Sequence, residues 1–283
     1  MRLSSVVSLV LGAIAIVVGI VLCNAAEADA IANGYNLYEP IYDESGNIEK
    51  EFSFSHDDDI NVSKVEIELE GANVYVIGGA EKSKIVVRNM YAGTYSCNIS
   101  NKVATITNVM DMSTLVDAAQ GIEFNGIRQF FNFENFKKRQ PEVYIYLNYT
   151  NEPIKQISFD VKDCIVNVSN IEGSLDLRID AENSNMAFSD FITDSGIDCE
   201  LVNSDVTFTN VDFLNANIEG EGGSFTFDSE LIVLYRITAA TVGTIKANGE
   251  TFQDSYKINE NQQDYPTMNI TFTSGDIVLD FIN

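Results

Sequence analysis

With 283 residues, 45% of them hydrophobic, the chain can bury a sizeable core and is too apolar to be mainly disordered. Its 42 acidic and 17 basic residues give a net charge of −25, and from Val161 onward only five basic residues stand against twenty-one acidic ones. Such a surface repels phosphate backbones and anionic headgroups, which excludes nucleic acid as a partner.

Residues Leu3 to Ala26 carry no charge, and their apolar core runs from Val6 to Cys23. Arg2 precedes it while Glu27 and Asp29 follow, the charge order that sends the rest of a chain outward across a membrane. The apolar run is long for a signal core of about 7–15 residues and suits a spanning helix. Residues 1–24 are therefore expected to be a single-pass signal anchor. The alternative is a signal peptide cleaved at Ala26-x-Ala28 or Ala28-x-Ala30, which would release a secreted protein. Residues 25–60 read as an acidic extracytoplasmic tether ending in His56-Asp57-Asp58-Asp59, a run without the full ligand pattern of a calcium loop.

Strand signals begin at Val65-Glu66-Ile67-Glu68-Leu69 and continue through Asn73–Ile77, Lys84–Arg88, Tyr95–Ser100 and Val103–Thr107. Residues 111–140 break the grammar. They bring Phe130, Phe131, Phe133 and Phe136 beside Lys137, Lys138 and Arg139, the one basic cluster of the chain. The segment reads either as a patch for a membrane or partner or as a cap over an open end of the fold. Strands resume at Glu142–Leu147 and Ile157–Val161.

From Cys164 to Gly249 the chain repeats about every twenty residues. Ile165–Asn170, Asn185–Asp190, Asp205–Asn210 and Ser224–Ser229 align, so that Val166, Met186, Val206 and Phe225 step by 20, 20 and 19, with Ile245 a further 20 on. Fixed periods of this size mark stacked repeats, and alternation of apolar with small polar residues marks strands with one buried face. The five residues are the expected core column. Second strands lie between, at Leu175–Ile179, Cys199–Val202 and Leu214–Ile218, and Asn170, Asn183, Asn203 and Asn210 fall at corners, where asparagine tolerates a left-handed backbone. Leu231–Ile237 reads as a fully buried strand. Nothing polar caps the last strand, so Ile277, Leu279 and Phe281 need cover from a preceding loop or a neighbouring molecule. The expected fold is all-β: a parallel β-solenoid, or β-helix, with turns of about 20 residues spanning 61–283, preceded by the one transmembrane helix.

Of the four cysteines, Cys23, Cys97, Cys164 and Cys199, none forms a CxxC or Cys/His cluster, and His56 is the single histidine. That excludes a Cys/His zinc site. Cys164 and Cys199 are either buried free thiols or a pair on adjacent turns. No serine-hydrolase or P-loop motif is present, and His56 beside three aspartates is a poor general base.

The opening Val65-Glu66-Ile67-Glu68-Leu69-Glu70-Gly71-Ala72-Asn73-Val74-Tyr75-Val76 is one of three features that together resemble a known family. The others are the Asn- and Ser-punctuated strands such as Ile165–Asn170 and Asp205–Asn210, and the closing pair Lys246-Ala247-Asn248-Gly249-Glu250 and Thr273-Ser274-Gly275-Asp276-Ile277. The family is that of the membrane-anchored or secreted bacterial β-strand-repeat "putative adhesins", a domain of unknown function, and the resemblance covers about residues 61–283. It implies a parallel β-solenoid outside a membrane with a binding or scaffolding role, and it implies no catalytic residues.

The functional expectation is a non-catalytic, adhesin-like interaction or scaffold module of the cell envelope, with no metal, cofactor or enzymatic activity. The partner classes left open, besides the membrane holding the helix, are an envelope protein, a glycan, and another copy joined through the solenoid ends. Two rival functions remain: a partner-binding subunit of an envelope-stress complex, using the Phe130–Arg139 patch, and a polysaccharide lyase or hydrolase. Hydrolysis would need two carboxylates about 5–10 Å apart, one with a raised pKa.

Overall fold

Short runs of β-branched and aromatic residues, broken by Asn, Gly and Ser, become strands throughout the described chain. The computed structural model describes residues 49–54, 62–90, 95–108, 141–148, 154–230 and 234–281. The strands are β1 (Glu49–Ser53), β2 (Lys64–Glu70), β3 (Asn73–Ile77), β4 (Lys84–Arg88), β5 (Tyr95–Ser100), β6 (Val103–Asn108) and β7 (Glu142–Tyr146). Next come β8 (Gln156–Lys162), β9 (Ile165–Gly173), β10 (Asp176–Glu182), β11 (Asn185–Thr193), β12 (Gly196–Val202), β13 (Asp205–Asp212), β14 (Asn215–Glu221) and β15 (Ser224–Ser229). The last are β16 (Arg236–Thr241), β17 (Ile245–Ala247), β18 (Glu250–Phe252), β19 (Ser255–Ile258), β20 (Thr267–Phe272) and β21 (Asp276–Phe281). They form an eleven-stranded sheet, β1-β4-β7-β3-β9-β11-β13-β15-β21-β17-β18, and a ten-stranded sheet, β19-β16-β20-β14-β12-β10-β8-β2-β6-β5.

From β8 to β15 the chain alternates between the two sheets, and each strand lies parallel to the strand two places on. The register follows the sequence period: Val166 pairs with Met186 and Met186 with Val206, and Phe225 follows Val206. Like positions thus land on like, and because strand side chains alternate, one face of each sheet turns inward as unbroken apolar columns. In the larger sheet, Val168, Phe188, Phe208 and Phe227 form the second column. In the smaller, Ile157, Leu177, Ile197 and Ala216 lie beside Phe159, Ile179, Cys199 and Ile218. All are buried in one continuous core. The phenylalanines meet edge to face, Phe188–Phe208 at 5.1 Å and Phe208–Phe225 at 5.2 Å between centroids, the arrangement ring quadrupoles favour.

Two-residue corners let the strands change sheets. Asp163, Asn183 and Asn203 take left-handed φ of 52°, 50° and 49°, and Gly222 takes 74° in the next turn; short polar side chains and glycine accept that conformation. The second corner residues, Cys164, Ser184 and Ser204, point inward and make a ladder. The Cys164 N–H donates to Ser184 Oγ and the Ser184 N–H to Ser204 Oγ, both at 3.1 Å, while the Ser204 hydroxyl lies 2.9 Å from the Val202 carbonyl. In the fourth turn this position is Gly223, where a Cβ would stand 2.1 Å from the Ser204 carbonyl oxygen. Asn170, Asp190 and Asn210 repeat the device on the opposite side, with φ of 56°, 50° and 52°.

The all-β expectation holds, but the sheets are mixed, not a uniformly parallel solenoid. A parallel stack leaves an apolar end and an unpaired edge at each extremity, and antiparallel strands occupy these places. At one end β4 runs antiparallel to β7, β1 to β4, and β5 to β6; at the other β18 and β19 run antiparallel to β17 and β16. Each end carries a Phe–Tyr contact between these strands, Phe52 with Tyr95 at 6.2 Å and Phe252 with Tyr256 at 4.8 Å.

Three further expectations are corrected. Ile245 does not follow Phe225: Ile277 of β21 pairs with both and stands between them. Ile277 and Leu279 are fully buried and Phe281 nearly so, because β21 runs between β15 and β17 instead of ending the sheet. Of the expected Leu231–Ile237 strand, residues 231–233 lie outside the described residues, and of the rest only Arg236 and Ile237 belong to β16, with Leu234 exposed. β1 lies within residues 25–60, the stretch read as a tether, and pairs with β4. The expected helix over 1–24 lies outside the described residues; among those described, no helix is long and apolar enough to cross a membrane.

Candidate functional site

The two outward faces differ in chemistry. On the ten-stranded sheet, the register brings Glu68, Asp160, Asp180, Glu200 and Glu219 side by side on β2, β8, β10, β12 and β14. Adjacent strands are about 4.8 Å apart, so these are five carboxylates in a line with no cation between. The neighbouring column reads Glu66, Ser158, Arg178, Asp198 and Asn217. Between the columns lies a shallow depression of ≈ 330 Å³ lined by Glu66, Glu68, Asp160, Arg178, Asp198 and Glu200, among others.

Like charges directly opposite on paired strands repel; within the columns the Asn217 amide donates to Glu219 Oε1 at 3.2 Å and to Asp198 Oδ1 at 3.4 Å, and ion pairs relieve the repulsion at the margins. Lys64 meets Glu66 at 2.7 Å, and Thr105 Oγ1 donates to the same carboxylate at 3.2 Å. The hydrogen bond from Lys64 holds the Glu66 carboxyl below its usual range. Lys162 meets Glu182 at 3.3 Å, which raises the lysine. Arg178 is the one cation lining the depression. Among the described residues, no group of three or more His, Cys, Asp or Glu side chains converges tightly enough to hold a metal ion. The carboxylates form a line, not a cage.

The outward face of the eleven-stranded sheet is mostly small and neutral. Asn167, Ala187, Thr207 and Thr226 share one column, and Ser169, Ser189 and Thr209 the next, which runs on to Asp228 and Asp280. At its β7 end Tyr75 and Tyr144 stack at 4.6 Å, Arg88 lies 4.8 Å over Tyr144 and Lys84 5.5 Å over Tyr146. These cations also pair with Glu49 and Glu51. The cluster is a satisfied network that ties β1 and β4 to the sheet.

Of the residues singled out from sequence, Val166, Met186, Val206, Phe225 and Ile245 are all buried in the core and stand behind these faces. The candidate interaction patch Phe130, Phe131, Phe133, Phe136, Lys137, Lys138 and Arg139 lies outside the described residues. Its flanks are described: β6 ends at Asn108 and β7 begins at Glu142, so the segment leaves and re-enters at a corner that takes two residues in the other parallel turns from β2 to β15. Cys97, Cys164 and Cys199 are free thiols. Cys199 lies in an inward column and Cys164 at a corner, its Sγ 3.2 Å from the Leu69 carbonyl. Sequence reasoning missed the carboxylate line. Asp160, Asp180 and Glu200 do stand 20 residues apart, but nothing in the period places Glu68 of β2 beside Asp160.

No protein-family model matches the chain, and no curated protein matches it. Among solved structures, the chain is similar to a "putative cell adhesion protein" from Clostridium sporogenes at 17% identity and a TM-score of 0.43, over 83% of this chain and 100% of that one. It is also similar to a "putative adhesin" from Bacteroides fragilis at 10% identity and 0.41, over 87% and 100%. A third, a "putative adhesin" from Parabacteroides distasonis, matches at 8% identity and 0.33, over 82% and 97%. Likeness at this level says nothing of what this chain binds.

Proposed function

We propose that this chain is a non-catalytic, adhesin-like interaction module of the cell surface, whose contact surface is the carboxylate face of β2, β8, β10, β12 and β14. The observation that supports the reading is the line Glu68–Asp160–Asp180–Glu200–Glu219. Side by side, these charges repel one another, and a partner bearing amines or guanidinium groups relieves that repulsion as it binds. The net charge of −25 adds long-range steering of cations toward the face. An open sheet face with only a shallow depression suits an extended partner better than a small molecule, which needs a deeply concave site.

The module is held outside the membrane by the apolar segment 1–24, a reading that rests on the order of charges around it. Sequencing the N-terminus of the mature protein tests this: a start at Met1 supports the anchor, and a start at residue 29 or 31 replaces it with secretion.

The contact surface is tested with the full chain in detergent, measuring binding to poly-lysine and to neutral polymers across a salt series. Poly-lysine binding that weakens steeply with salt, and falls at least tenfold in a D160N/D180N/E200Q variant, is the expected result. Equal binding by the variant, or a preference for neutral polymers, overturns the assignment.

A further inference from the structure

The strands latest in the described chain are not at an edge. β20 follows β16, β17, β18 and β19 in sequence, yet it lies between β14 and β16, and β21 lies between β15 and β17. β20 makes six register pairs on each side, and β21 makes six with β15 and three with β17. Both walls of the slot therefore come from earlier chain, and neither pair of edges is satisfied until the 267–281 segment is seated.

The slot is shaped for that segment. Gly220 leaves the space that the Phe272 ring fills; a Cβ there would stand 2.4 Å from the ring. Gly222 donates its N–H to the Ser274 carbonyl at 2.8 Å, and Thr241 Oγ1 donates to the Gly275 carbonyl at 2.8 Å. The Phe281 N–H is received by Asn248 Oδ1 at 3.0 Å. Residues 259–266 carry the chain from β19 back to the slot and fold on themselves: Asn259 has φ 55°, and the Gln262 N–H donates to its carbonyl at 2.9 Å. Extended, eight residues reach about 26 Å, enough to pass to an adjacent molecule.

We propose that copies of this chain associate by exchanging the 267–281 strand pair, each seating its β20 and β21 in the other's slot. A second copy is an occupant the slot accepts, because its 267–281 segment is identical and meets the slot's glycine, carbonyls and apolar columns residue by residue. Exchange needs no new surface. Every contact within one chain recurs between two, so concentration and the reach of the 259–266 segment set the balance. It also avoids face-to-face contact between bodies that repel one another at −25 each. The inference stands apart from the carboxylate face and does not depend on what that face binds.

The experiment uses Asn217 and Asn269, exposed register partners on β14 and β20. Two differently tagged full chains, both with C23S and C97S, carry N217C and N269C respectively. They are unfolded, mixed, refolded together at high concentration in detergent, and treated with a short bismaleimide. A chain carrying both substitutions must cross-link, internally in the monomer or to its partner copy in the exchanged dimer, which shows that the pair is in register. Exchange predicts a product bearing both tags, at least tenfold above a control pairing of S158C with N269C, and a dimer mass by light scattering. Internal cross-links in the double variant with no two-tag product, and a monomer mass, overturn the proposal. As a second measurement, deleting residues 260–262 shortens the turn. A rise in dimer at equal concentration supports exchange, and an unchanged monomer opposes it.

Discussion

The middle of the molecule and its two ends solve the same burial problem in different ways. Between β8 and β15, parallel strands repeat every turn, and each turn covers the one before it with the same residue types. At the ends no next parallel turn follows among the described residues, and short antiparallel strands with half-buried Phe52, Tyr95, Cys97, Ile99, Phe252, Tyr256 and Ile258 close the core. A repeat can propagate but cannot stop itself, so its ends need a different strand geometry. The short charged edge strand β1, with Glu49, Lys50 and Glu51, also discourages further strand addition at its end.

The contrast predicts graded damage. Phe208, fully buried, touches Phe188 of its own column and Phe225 of the neighbouring one. F208A should cost about 3–5 kcal/mol in denaturant unfolding; a loss under 1 kcal/mol would mean the column is not a continuous core. G223A comes next. The left-handed φ of 73° alone costs a non-glycine residue about 1–3 kcal/mol, and the contact with Ser204 adds to it. If G223A melts like the parent, the corner stack is looser than described.

The ends should respond to alkali. Burial pushes the Cys97 thiol, at one cap, up to about 12 from its ordinary value of 9.0. The folded state then holds a proton that the unfolded state has released, so this contribution is complete below pH 9.0 and is lost as the pH rises toward 12. Melting curves between those values should fall less steeply for C97S than for the parent, with no difference near neutrality. Parallel slopes would mean that the cap does not shield the thiol. The smallest effect has the opposite sign. D180N removes the central like charge of the carboxylate line and should stabilise the fold by a few tenths of a kcal/mol, more at low salt. Destabilisation would reveal a favourable partner for Asp180.

Legibility in the sequence followed the range of the interactions. The parallel middle was readable because a period of 20 is also the register: Met186 lies beside Val166 since one turn separates them. The corner asparagines were readable for a local reason, their tolerance of left-handed backbone. The carboxylate line was half readable, and its first member, Glu68, joins Asp160 across 92 residues through the pairing of β2 with β8. No local signal encodes that pairing.

By itself the sequence determined the strands, which side of each faces inward, the corners between them and the excess of negative charge. These depend on residue type and near neighbours alone: alternation sets the buried face and backbone tolerance sets the turns. Only the tertiary structure decided which strand lies beside which at the ends, including the seating of β21 between β15 and β17 ahead of Ile245. The physical reason is that hydrogen bonding along a strand edge is nearly the same for any partner. The choice there falls to the closing of the core, to which β1, β4, β16 and β18 all contribute and which no single segment contains.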